Sequence, residues 1–174
     1  MPWTPLLPNI DFGLPLLENL KAVIERDQAE ALAWVAAKVP TVAELPIFKR
    51  VLKCERVSKE YPHLAIYPVS DAPDFGDEGA SFDQPCVFGF DVAISSRKPE
   101  ELVEELRKRV AAVRMMVLSA SMADLMAGVQ NASNLIVEFG PAQFEQVREH
   151  ETDAGLYFRS AVFTITLRYV QTGV

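Results

Sequence analysis

Five carboxylates crowd one glycine-punctuated stretch of the chain: Asp71, Asp74, Asp77, Glu78 and Asp83, with Gly76 and Gly79 between them. Hard cations take clustered oxygen ligands, and glycine permits the sharp turns between them. The spacing lacks the alternating Asp/Asn positions and closing Glu of an EF-hand, so no metal site is expected. The stretch is either a solvated loop or an acidic segment that orders against a protein partner, and the second reading is preferred. His63 and His150 are the only histidines, and neither has a companion at the spacing of a zinc site. "REHETD" (148–153) has the His-Glu pair of a metalloprotease helix without its second histidine. Cys54 has no activating base beside it, and there is no nucleophile elbow, P-loop or dinucleotide fingerprint. No catalytic, cofactor-binding or metal-ligating residue is therefore expected. An enzyme reading would need scattered residues such as His63, Asp91 and His150 to converge in one pocket.

Other clusters have plainer readings. Arg107, Lys108 and Arg109 are flanked by glutamates and are expected on a solvated helix face. Met115, Met116, Met122 and Met126 suit core filling, or an adaptable surface. Cys54 and Cys86 are too few for a disulfide scaffold and are expected as buried, reduced thiols.

The elements that would position these residues follow from periodicity. Leu16, Leu17, Leu20, Val23 and Ile24 recur at helical spacing after Pro15, a residue suited to a first helical turn. An alanine-rich stretch anchored by Trp34 continues the pattern towards Pro40, with a possible break at Asp27–Gln28. Residues 47–57 and 62–70 alternate as strands, and 86–96 makes a third that pairs with the second. Between the last two, 71–85 is expected as a long acidic loop. Pro99 opens the clearest helix: glutamates fill its first turns, and Leu102, Leu106, Val110, Val113, Val117 and Ala120 form its buried stripe. Ser121 caps a short segment closed by Gly128. Residues 134–140 and 142–150 read as a strand interrupted at Gly140–Pro141. "FRSAVFTITLRYV" (158–170) is β-branched and aromatic on both faces, which suits a central strand. Its second face, with Val162, Thr164 and Arg168, is too apolar for open solvent and too polar for a dry core, as a subunit interface is.

The expected fold is α+β: a single, mostly antiparallel sheet of four to five strands, with two main helices packed on one face. Residues 1–13, broken by Pro2, Pro5 and Pro8 and without the basic leader of a signal peptide, form an extended arm, and 14–174 form one domain. The chain's 174 residues, 49% apolar and 24% charged, suit one well-cored domain. A net charge of −7 argues against nucleic acid as a tightly held partner. No apolar run is long enough to cross a bilayer.

The layout resembles that of the tail terminator and tail-completion (head–tail joining) proteins of long-tailed bacteriophages. The matching pieces are the first helix, "YPHLAIYPVSD" before a variable loop, "CVFGFDVAISSRKPEELVEELRKRVAAVRMMVLSA", and "NLIVEFGPAQFEQVREHETDAGLYFRSAVFTITLRYV". The match spans roughly 14–171 and is one of layout and texture. The arm and the "AEALAWVAAKV" stretch have no counterpart in it. The resemblance implies a non-enzymatic virion protein of the tail or neck, assembled in the host cytoplasm. It would form a ring, commonly six-fold, between the tail tube protein and the head-side connector, with DNA passing through the lumen. Trp3 in the arm, and Asp71, Asp74, Phe75, Asp77, Glu78 and Phe82 around the loop, become interface candidates beside Val162, Thr164 and Arg168. Another connector or tail-completion protein of the neck, or a small cytoplasmic enzyme or adaptor with no viral role, is the alternative.

Overall fold

The structure is a computed structural model and describes residues 15–38, 44–54, 60–71, 74–75, 81–151 and 153–172. Helix α1 runs unbroken over Leu16–Lys38, burying Leu16, Leu20, Val23, Ile24, Leu32 and Val35. The helix does not break at Asp27–Gln28, the point where its apolar stripe is interrupted, because Gln28 is itself buried and hydrogen-bonded. Its Oε1 accepts the backbone N–H of Phe48 at 2.9 Å. A polar residue thus interrupts the apolar stripe without interrupting the helix.

The strands are β1 (Arg50–Leu52), β2 (His63–Asp71), β3 (Asp74–Phe75), β4 (Ser81–Ser96), β5 (Ala132–Phe139), β6 (Gln143–Phe144), β7 (Arg148–His150) and β8 (Asp153–Thr172). They form one sheet with the path β1-β2-β4-β8-β5, to which β3 adds on β4, and β6 and β7 on β8. The five-strand path and the mostly antiparallel pairing match expectation; the short flanking strands enlarge the sheet. The strand expected over 47–57 shrinks to β1, which pairs parallel with β2 and makes the sheet mixed. Residues 44–48 instead run as irregular chain over the helices, where Leu45 and Phe48 are buried.

The loop expected over 71–85 is also shortened. Strand β4 already begins at Ser81 because β8 is long enough to pair with it from Ser81↔Thr172 to Ser96↔Tyr157. Pro85 lies within that ladder and, like Asp83, pairs with β8. Loop identity at 72–73 and 76–80 falls outside the described residues.

Helix α2 (Pro99–Ser119) starts with Pro at its first turn and Glu100 and Glu101 near its N-terminus. Helix α3 (Met122–Leu125) is capped by Ser121, whose side chain accepts from the Asp124 N–H. Gly128 then takes φ +78°, the left-handed conformation that favours glycine. The core gathers Leu20 and Ile24 of α1 and Leu106 and Val113 of α2 with Phe90, Val92, Phe163 and Ile165 of the central strands. Phe90 and Phe163 stack at 5.3 Å between ring centres. Both main helices therefore cover the same face of the sheet.

Two expectations about charge and thiols are corrected. Lys108 and Arg109 are buried, and only Arg107 of the basic cluster faces solvent. Arg109 bridges Glu105 at 2.8 Å, donates to the Pro46 carbonyl at 2.9 Å and lies 5.3 Å from the Phe48 ring centre. Burial pushes its pKa below the ordinary guanidinium value, against the opposing pull of Glu105. It is the clamp that holds 44–48 onto α2. Cys86 is buried as expected, but Cys54 is exposed beyond the end of β1.

Candidate protein interface

Strand β8 has two different faces. Ala161, Phe163, Ile165, Leu167 and Tyr169 are buried under the helices. The alternate residues Val162, Thr164 and Thr166 are half-buried, and Arg168 is exposed. The register extends this second face across the sheet: Val162 faces Asp91, Thr164 faces Gly89 and Thr166 faces Val87 on β4. On β2, Ala65 is opposite Asp91 and Tyr67 opposite Gly89.

Gly89 is required there. A Cβ at this position would collide with the Tyr67 ring, which occupies the space above it. A flat aromatic is thereby laid across the middle of the face, beside two threonines and two valines. At one end Arg168 sits 3.7 Å from Asp83, and Ile136 of β5 stands opposite Arg168 with 51% of its surface exposed. At the other end Ser160 donates to Glu145 at 2.6 Å. The result is a helix-free side of the sheet on which Tyr67, Val87, Val162, Thr164 and Thr166 are half-buried, while Ala65, Asp91, Ala93 and Ser160 beside them are buried. This pattern resembles an interface patch with an apolar middle and a polar rim.

Of the sequence candidates, Val162, Thr164 and Arg168 share this face. The backbones of Asp71, Asp74, Phe75 and Phe82 gather at the end of the sheet where Arg168 meets Asp83: Asp71 pairs with Cys86, Asp74 with Asp83, and Phe75 with Phe82, which also pairs with Gln171. Trp3, Asp77 and Glu78 lie outside the described residues.

His63 is buried, its Nδ1 3.1 Å from the Glu60 carbonyl and its ring 5.2 Å from Tyr61. It pairs with Ala93, two residues from Asp91, so those two share a face. His150 stands on β7 against Phe158, with β8 and β4 between it and β2. The three do not converge. Among the described residues no trio of His, Cys, Asp or Glu is placed to hold a metal ion. No described helix is long and apolar enough to cross a membrane.

Sequence reasoning missed a second surface. Trp34, expected as a packing anchor, is 51% exposed. It borders a cavity of about 330 Å³ between α1 and α2, lined by Asp27, Glu30, Ala31, Met115, Met116 and Ser119 as well. Ala31 and Ser119 are the small residues of its lining. Met116 and Met126 are core residues, while Met122 is exposed.

No protein-family model matches the chain, and no curated protein matches it. Among solved structures, a chain from the virion of a native gene transfer agent (GTA) particle is similar at 17% identity, with 89% of this chain and 98% of that chain covered and a TM-score of 0.39. The likeness is distant, and the functional reading rests on the surfaces described above.

Proposed function

We propose that this chain is a structural subunit of a phage-type virion: a tail terminator or neck protein that forms a closed ring, six-fold in the reading adopted here. The ring caps the tail tube and joins it to the head-side connector, in the virion's tail or neck. The protein works through contacts with its own copies and with the tube and connector proteins, and carries out no catalysis.

The observation that carries this reading is the helix-free face of the sheet. Tyr67, Val87, Val162, Thr164 and Thr166 are half-buried there, and their mix of aromatic, β-branched and hydroxyl groups suits another protein surface better than water. The sequence layout supports the terminator class within that reading. The net charge of −7 suits a lumen through which DNA passes without adhering.

The test is association of the full chain measured by analytical ultracentrifugation. Thr164→Arg places a long cation in the middle of the patch and should weaken self-association about tenfold or more, corresponding to at least ~1.4 kcal/mol. Circular dichroism should be unchanged, because the side chain is half-exposed. Unaltered association of Thr164→Arg would remove this face from the assembly.

A further inference from the structure

Three arginines gather where α2 meets β8 and the Phe144 side chain of β6. Arg107 is exposed and Arg159 half-buried, and each guanidinium lies 5.9 Å from the centre of the Phe144 ring. Further along α2, Arg114 donates to the Gly140 carbonyl at 2.6 Å and lies 5.2 Å from the Phe163 ring centre. An aromatic face attracts a cation but does not neutralise it. Among the described residues none of the three arginines has a carboxylate at ion-pair distance.

The nearby glutamates are engaged elsewhere. Glu104 bridges Lys108 at 3.3 Å, Glu105 bridges Arg109 at 2.8 Å, and the Glu145 carboxylate accepts from the Ser160 hydroxyl at 2.6 Å. Arg159 finds only backbone: its Nε donates to the Glu145 carbonyl at 2.7 Å. In a chain with 24 acidic and 17 basic residues, this local surplus of positive charge suits a carboxylate arriving from outside, which a guanidinium binds with two parallel hydrogen bonds.

The far end of the sheet carries the complementary charge. The register sets Asp74 directly opposite Asp83, and like charges so placed weaken a strand pair unless a cation meets them. Arg168 reaches Asp83 only at 3.7 Å, and Asp83 Oδ1 is buried with no hydrogen-bond partner among the described residues. Asp83 pairs with Val170 of β8. From Arg159 to Val170 the strand runs roughly 36 Å, at a rise of about 3.3 Å per residue.

We propose that Arg107 and Arg159, set about Phe144, receive Asp74 and Asp83 of a neighbouring copy. This inference rests on the ring reading and names its lateral contact. One copy offers a cationic site near one end of its central strands and an anionic site near the other. Head-to-tail pairing of unlike patches is what closes a ring.

The experiment is sedimentation velocity of the full chain and charge-reversed variants. Arg107→Glu/Arg159→Glu makes both sites acidic, and Asp74→Arg/Asp83→Arg makes both basic. Each alone should associate about tenfold or more weakly than wild type. An equimolar mixture should recover wild-type association, because every contact then joins opposite charges and the two kinds of subunit alternate around an even ring. Folded variants that stay apart when mixed, or an arginine variant that assembles like wild type, would overturn the inference and leave the ring reading standing. A wild-type chain that is monomeric at every concentration overturns both. Arg107→Glu is also measured alone, since that side chain is exposed and the fold should be kept. Its association should fall about threefold or more at low salt, with circular dichroism unchanged. Undiminished association of this folded variant would equally overturn the contact.

Discussion

Single residues decide where this chain departs from its own periodicity. Gln28 is a polar residue on a buried helical stripe, where its Oε1 accepts the Phe48 N–H and its Nε2 reaches the Glu25 carbonyl. Gln28→Leu should therefore destabilise the fold by about 1–3 kcal/mol, the penalty of stranding a buried donor, even though leucine is the better helix former. Urea unfolding would measure it; no loss of stability would mean that Phe48 finds another acceptor. Arg109 makes the same point about charge. In sequence it belongs to a basic cluster beside glutamates, but its fork reaches a carbonyl distant in the chain. Neither role was legible beforehand, because both partners lie on irregular chain at 46–48 and periodicity says nothing about where irregular chain runs. That Val162, Thr164 and Arg168 share one face of β8 was legible, because alternation along a strand assigns faces directly.

Elements were readable where one pattern persisted. Helix α2 and the two faces of β8 follow from apolar spacing and from the carboxylates at the helix start. Boundaries failed where pairing decided them: β4 extends through the acidic stretch because β8 supplies a partner for it. The contact between α1 and α3 offers an electrostatic test of an element junction. Arg26 lies 3.2 Å from Asp124, which also accepts from the Ser121 hydroxyl at 2.9 Å. Arg26 first and Ser121 second hold the Asp124 carboxyl below its ordinary value. A depressed carboxylate contributes stability above its unfolded-state pKa and loses it as pH falls through the folded value. Asp124→Asn should therefore melt below wild type at pH 7, with the gap closing as the pH drops below 3.8, the ordinary value for this group. The effect should be small, since the pair is largely exposed to screening. Thermal melts across pH 2–7 would check it, and a gap that widened in acid would contradict the assignment.

At the scale of the whole molecule, one side of the sheet is closed by helices and the other carries Tyr67, Val162 and Thr164, each half-buried. A second opening lies between the helices themselves. The α+β class was legible from the order of elements, and so was the placement of two helices on one face. The hollow was not, because its lining comes from both α1 and α2, and the periodicity of one helix does not say how it meets another. The proposed function rests on the helix-free side of the sheet, with the hollow between α1 and α2 as a second, unlike surface. The most direct measurement is electron microscopy of the purified full chain over a wide concentration range. Closed rings of one size, six-fold in class averages, are the predicted result; monomers alone, or open filaments that never close, would contradict the account.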